Sequence, residues 1–554
     1  MNGWRQWLGS GSPWIWLNAA AVSTSIVMVV GLLLLIAVRG LGYFWPATVW
    51  EFEYRDPSGQ ATRLVGEIHD TEEVPAHRLQ VAVPGLESPD ELVTRHLLKT
   101  GNRDVLGLDF RWILEPLIES RQAPPALMTV ERREWGNAYG YLDEIREDGR
   151  LVASGPGAWD ELLRRVERAT DIHAQIRAIE KDEIGAINYA MERLRLRQRG
   201  LELEGADTPE ALARLALERK ELEARYEALR GELEALYADI RRDSFSLRIM
   251  GGQTLEIPLA KVVRVYRPNA MSVLDKIGFY GAKLWEFVSD EPREANTEGG
   301  IFPAIFGTVM MVILMSVIVT PFGVIAAVYL REYAKQGPLT RLIRIAVNNL
   351  AGVPSIVYGV FGLGFFVYFL GGSIDALFFP EALPAPTFGT PGILWASLTL
   401  ALLTLPVVIV ATEEGLARIP SNIREGSLAL GATKAETLWR TVLPMASPAM
   451  MTGLILAVAR AAGEVAPLML VGVVKLAPSL PLDGNFPYFH LERKFMHLGF
   501  HIYDVGFQSP NVEAARPLVY ATALLLVLVI VVLNLAAISI RNRLRERYRA
   551  FDQG

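Results

Sequence analysis

Six stretches of this chain carry almost no charge and are long enough to cross a bilayer, and no other feature restricts its fold so far. Charge-free runs extend from Gln6 to Val38, Gly299 to Leu330, Ile345 to Ile374, Ala382 to Thr412 and Pro517 to Ile540. A sixth, Thr441 to Val474, is interrupted only by Arg460 and Glu464. About 20 apolar residues span a hydrocarbon core, and a helix satisfies every backbone group within one such segment. Six transmembrane helices in a mainly α membrane domain are therefore expected. The first run is longer than the about 7–15 residues of a signal-peptide core and no clear small-residue cleavage site follows it, which predicts an uncleaved anchor. The chain has no cysteine, which excludes a disulfide framework and any cysteine-based metal site.

Basic residues in the short connections set the expected orientation. Arg331, Lys335, Arg341 and Arg344 lie between the second and third runs, and Arg541, Arg543, Arg545, Arg547 and Arg549 follow the last. The connections 371–391 and 476–516 are neutral to acidic. Both ends are thus expected on the cytoplasmic side, with residues 47–298 outside.

That outer segment holds 47 acidic and 35 basic residues, a net charge of −12, against +6 for the rest of the chain. Strand-like patterning marks Thr48 to Tyr54, Thr62 to Ile68 and Leu79 to Val83 at its start, and Ser246 to Met250, Leu255 to Leu259 and Val262 to Tyr266 at its end. Pairing of the two sets into one small β module is expected. The middle, about 158–243, reads as a helical hairpin with coiled-coil spacing. Leu215, Leu222, Leu229 and Leu236 recur every seven residues. Leu212, Tyr226, Leu233 and Ile240 take the second heptad position, which Arg219 breaks. Asp207-Thr208-Pro209-Glu210 combines a cap with proline at the first helical position. Ile172, Ile176, Ile179, Ile187 and Leu194 give the preceding helix a matching seam, and antiparallel packing within the chain is expected rather than dimerisation. The fold class is therefore a six-helix membrane domain with an inserted α+β domain containing an antiparallel coiled-coil hairpin. Its parts are 1–46, 47–298, 299–545 and a tail, 546–554.

A polar segment, 425–444, lies between two of the apolar runs. Ser421 is a candidate N-cap for a short helix reaching Leu430, and Gly431 supplies the free backbone of a sharp turn. Thr433 and Glu436 have capping-box spacing, which starts a second helix, and Pro444 bends or restarts the chain as it re-enters apolar sequence. Conventional catalytic signatures are missing: no phosphate-cradling G-x-x-x-x-G-K-[ST], no G-x-S-x-G and no H-E-x-x-H occurs. His497 and His501 are four apart, with His490 and Asp504 nearby. A solvated outer loop is expected there rather than a metal site.

Glu425, Gly431, Leu443 and Pro444 keep a spacing that resembles the EAA loop of ABC-importer permeases, E-A-A-x3-G-x9-I-x-L-P. Gly426 and Ser427 stand for its alanines and Thr441 for its isoleucine. Further stretches resemble the PstA family, the phosphate permeases of type I ABC importers. These are Gly299 to Thr308, Pro321 to Tyr333, Asn349 to Gly359, Thr412 to Leu416 and Ala459-Arg-Ala-Ala-Gly-Glu-Val-Ala-Pro467. Val465 departs from the threonine common after the glutamate, and 47–298 lies outside the resemblance.

The resemblance implies a permease subunit of an ATP-driven phosphate importer in a bacterial inner membrane. It implies a PstC-like second permease, a PstB-like ATPase dimer holding ATP and Mg, and a PstS-like periplasmic phosphate-binding protein. The chain itself is expected to be no enzyme, to bind no cofactor or metal and to meet no nucleic acid. Glu425, Gly431, Leu443 and Pro444 would couple it to the ATPase, and Arg460 and Glu464 would line the substrate path. Alternative readings are a permease for another oxyanion, or a membrane-anchored coiled-coil sensor, against which the six runs, the loop and the Arg/Glu pair all argue.

Overall fold

The computed structural model describes residues 10–56, 59–79, 90–509 and 512–548. The chain divides into two units, Met1–Phe44 with Ile301–Phe379 and Leu383–Gly554, and Trp45–Gly300 with Pro380–Ala382. Residues 6–9 of the first apolar run, 80–83 of the expected third strand and Arg549 lie outside the described residues.

Six helices of the first unit are long and apolar enough to cross a membrane, and they serve as spans one to six: Pro13–Gly42, Phe302–Tyr333, Ser355–Phe378, Ile393–Ala417, Lys434–Gly463 and Val512–Glu546. Span four is the most enclosed, packed against spans two and five. Small residues make that approach work, since lipid supplies no hydrophobic drive between helices. A Cβ on Gly453 would lie 2.7 Å from the Ala411 Cβ, and one on Gly415 would lie 2.5 Å from that of Ala449. Within span four, Thr399 and Thr404 donate to the carbonyls of Trp395 and Leu400, one turn earlier, at 2.7 and 2.8 Å. These buried hydroxyls are thereby satisfied without water.

Span three begins at Ser355, ten residues later than its apolar run. Pro338–Leu350 forms a separate helix. Pro354 divides the two, being extended itself (ψ 135°), because proline lacks a donor and pushes the preceding residue out of helical geometry.

The second unit contains two antiparallel sheets rather than the single β module expected from the sequence. One has the order β4-β3-β2-β1-β5, built from β1 (Val49–Arg55), β2 (Ala61–Pro75), β3 (Leu92–Lys99), β4 (Phe110–Leu114) and β5 (Ile118–Gln122). The other joins β6 (Met128–Arg132), β7 (Ala138–Glu147), β8 (Arg150–Ser154), β9 (Asp243–Arg248), β10 (Thr254–Pro258) and β11 (Val262–Tyr266), in the order β10-β9-β7-β6-β11 with β8 on β7. The early strands therefore pair among themselves, and the late ones pair with 128–147.

Helices Ala158–Ala178 and Gly185–Glu204, joined by a wider π-turn at Ile179–Ile184, run against Pro209–Arg241. The seam residues Ile172, Ile176, Ile179, Ile187 and Leu194 are all buried. Their spacing is seven, then eight across the π-turn, then seven. The extra residue that a π-turn absorbs keeps the seam in phase. Thr208 caps the return helix by accepting from Ala211 N, with Pro209 at the first turn. Tyr226, assigned above to the second heptad position, is instead 38% exposed.

Candidate functional site

Two places in the membrane unit carry the residues singled out above. The first is the loop between spans four and five. A short helix, Ser421–Ala429, turns at Gly431 and restarts at Lys434. Its N-cap is Pro420, not Ser421, which makes no capping bond. Gly431 has φ +89°, a conformation open to glycine at little cost. The capping box forms: Thr433 Oγ1 accepts from Glu436 N at 3.3 Å, and Glu436 Oε2 accepts from Thr433 N at 2.9 Å. A π-turn at Leu438–Val442 leads into the helix of span five, with Pro444 in that helix's first turn. There the missing proline donor costs no established bond.

Exposure divides the four loop residues by role. Glu425 and Gly431 are exposed, beside Leu428, Trp439 (74% exposed) and Leu430 (91% exposed). Leu443 packs instead into a small core with Leu416, Ile419, Leu438 and Val442. The tip thus offers a carboxylate among uncovered apolar side chains, and Leu443 and Pro444 hold its base. A protruding apolar patch of this kind marks a surface for another protein.

A brace that the sequence did not signal ties this loop to the end of span two. Arg424 donates to Ile419 O (2.7 Å), Leu416 O (2.8 Å) and Glu332 Oε1 (2.9 Å), while Lys434 Nζ reaches Glu332 O and lies over the Tyr333 ring. Arg424→Ala would strand two carbonyls and a carboxylate, a loss of about 1–3 kcal/mol of local stability. Lysine cannot replace the fork of donors. Both variants should speed amide exchange in 421–429 and leave span four protected; unchanged exchange would show that the loop is held by other contacts.

The second place is the far end of span five. Arg460 lies in its last turn, about 26 Å along the axis from Leu443, so the pair sits at the end of the helix rather than deep within it. Glu464 is not on the helix face either: the helix stops at Gly463, and Glu464 is extended with ψ 134°. The side chains still approach, Arg460 Nε to Glu464 Oε1 being 3.7 Å, with 33% and 22% exposure. That is an ion-pair contact beyond hydrogen-bond length. Pro467 does not loosen a continuing helix; it precedes a short separate one, Leu468–Val471.

Val465, next in the chain, is packed by the connection between spans five and six. A Cβ on Gly499 would lie 2.7 Å from Val465 Cγ2 and 3.2 Å from His497 Cε1. This connection is folded inward, not the solvated loop expected. His490, His497, His501 and Asp504 are all at most 2% exposed. His490 contacts Asp483 (3.0 Å) and Glu492 (3.2 Å), and Lys475 Nζ lies 3.1 Å from Asp504 Oδ2. Burial pushes His497 down to about 3 and His501 to about 4, so both are neutral. Among the described residues, no three of His, Asp or Glu gather as a metal site.

Residues 319–550 match the family of binding-protein-dependent transport system inner membrane components. The phosphate transport system permease protein PstA 1 of Mycobacterium tuberculosis is 36% identical over 252 residues, 45% of this chain and 72% of that protein. PstA of Mycobacterium leprae is 35% identical over 219 residues, 39% of this chain and 66% of its own. PstA of Yersinia pestis is 31% identical over 265 residues, covering 47% and 78%. Among solved structures, the inward-facing MetNI methionine ABC transporter is 19% identical over 48% of this chain and 98% of its own, with a TM-score of 0.32. The family match and the six spans define a multi-pass membrane permease of a binding-protein-dependent transport system. Within that class, the chain belongs to the PstA-type family of ABC-transporter permeases.

Proposed function

We propose that this chain is one of two permease subunits of an ATP-driven importer of inorganic phosphate. Support comes first from relatives that are themselves phosphate transport permeases over most of their length. Glu425, Gly431 and the exposed Leu428, Leu430 and Trp439 enter a cleft of a PstB-like ATPase, which holds ATP and Mg; Leu443 and Pro444 set the angle of entry. A PstC-like permease completes the path, and a PstS-like protein delivers phosphate. Both termini and the loop face the cytoplasm of a bacterial cell, and residues 47–298 form an extracytoplasmic insertion. Its paired helices act as a coiled-coil stalk or lid that guides the binding protein or braces the second permease.

Arg460 carries the substrate assignment, because its guanidinium stays charged and matches oxyanion oxygens in a two-pronged geometry. Purified with its partners and reconstituted in vesicles, the complex should accumulate radiolabelled phosphate only when ATP is supplied on the ATPase side. Accumulation of sulfate or molybdate in preference to phosphate would make it a permease for another oxyanion. Failure to bind any ATPase would remove the transporter reading.

A further inference from the structure

The connection between spans five and six holds two imidazoles whose hydrogen-bonding capacity is not used. His497 Nδ1 accepts from Gly499 N at 3.1 Å, so the neutral ring carries its proton on Nε2. That Nε2–H is buried and has no acceptor. His501 lies four residues on, 2% exposed, with neither ring nitrogen partnered; one of them is a donor as well. Buried polar groups are nearly always paired, and each exception calls for a reason.

The surroundings supply one. The segment is fixed to span two by Leu498 N donating to Thr308 Oγ1 at 2.9 Å. Gly307 of that span passes so close that a Cβ there would fall 2.1 Å from Met496 O. On its other side the His497 ring crowds Val465, the residue after Glu464. The orphan donors therefore stand in the wall beside the break that follows Arg460 and Glu464.

We propose that His497 and His501 form a second anion-contact station, which donates two neutral N–H groups to a tetrahedral oxyanion once the break after Gly463 opens. This rests on the phosphate-import reading. Neutral donors suit a station next to Arg460, because they hold the anion briefly where a second cation would trap it. In the closed arrangement described here the same donors are left unpaired, which favours opening. Lys475 and Asp504 act electrostatically on His501 and form a pair with each other, so they add little net charge to the station.

The test uses the assembled transporter. His497→Asn keeps an acceptor for Gly499 N and removes the distal donor, whereas His497→Gln places a donor near Nε2. His501→Phe fills the same volume without nitrogen. Phosphate uptake should fall by at least about tenfold in His497→Asn and His501→Phe, with normal assembly. His497→Gln should recover part of it, and His501→Phe should melt at a higher temperature than the parent because a buried orphan is gone. Wild-type uptake in His497→Asn and His501→Phe overturns the station. So does a melting temperature that falls together with uptake in both His497 variants, which makes the ring a packing element. Loss of uptake in Arg460→Gln alone leaves phosphate import standing without the histidine pair; full uptake in Arg460→Gln removes the underlying path.

Discussion

Replacing Gly431 with proline should leave the subunit in the membrane, yet cut phosphate uptake by at least about tenfold while the associated ATPases continue to hydrolyse ATP. The reason is geometric. Gly431 has φ +89°, whereas the proline ring fixes φ near about −65°. Proline would also delete the Gly431 N–H that donates to Leu428 O at 3.0 Å. Nothing lies within 4 Å of a Cβ built on Gly431, so crowding is not the issue and the turn itself is what fails. Asparagine tolerates the left-handed region better than other non-glycine residues, so Gly431→Asn should retain most coupling. A bulky residue such as tryptophan meets no clash within this chain but adds backbone strain of about 1–2 kcal/mol and volume at the exposed tip. The ratio of phosphate transported to ATP hydrolysed, measured in vesicles, separates these outcomes. A normal ratio in Gly431→Pro would mean that the tip does not transmit the ATPase stroke.

What the sequence could and could not reveal follows from the range of each signal. Apolar length is local, and the six spans emerged with errors only at their ends, as at Ile345, where Pro354 reset the start. The capping box of Thr433 and Glu436 is equally local and formed as read. Heptad spacing carried even the π-turn, in the single eight-residue step between Ile179 and Ile187. Pairings across long separations left no such mark. Glu332 and Arg424 are 92 residues apart, and β7 pairs with β9 across the whole helical hairpin. Strands β3 to β8 went unrecognised, partly because β7 carries Asp143, Glu144, Arg146 and Glu147 and so lacks a clean apolar face. The burial of His497 and His501 was hidden for a related reason: their polar neighbours in sequence suggested solvent, whereas span two and Val465 cover them in space.

Arg460→Gln should abolish uptake while the complex still assembles at normal levels. A charge at a bilayer centre costs about 2.5–3.5 kcal/mol on insertion scales, but Arg460 is in the last turn of span five and one third exposed, so its cost is lower and its removal is no threat to the fold. The contact with Glu464 is weak for the same reason. At 3.7 Å and partly exposed, such a pair contributes about 0–1 kcal/mol, too little to serve as a lock between helices. A group held this loosely is free to leave its partner for a passing anion. Glu464 then has a distinct task, because it competes for Arg460 and releases the phosphate that would otherwise remain bound. Glu464→Gln should therefore slow turnover more than it weakens apparent affinity, read as a fall in kcat with KM unchanged or lowered. The exchanged variant Arg460→Glu/Glu464→Arg decides between path and lock. It preserves the attraction but moves the cation off the helix onto the extended residue, so a path residue fails and a structural pair survives. Full uptake in that variant would return Arg460 and Glu464 to a structural role.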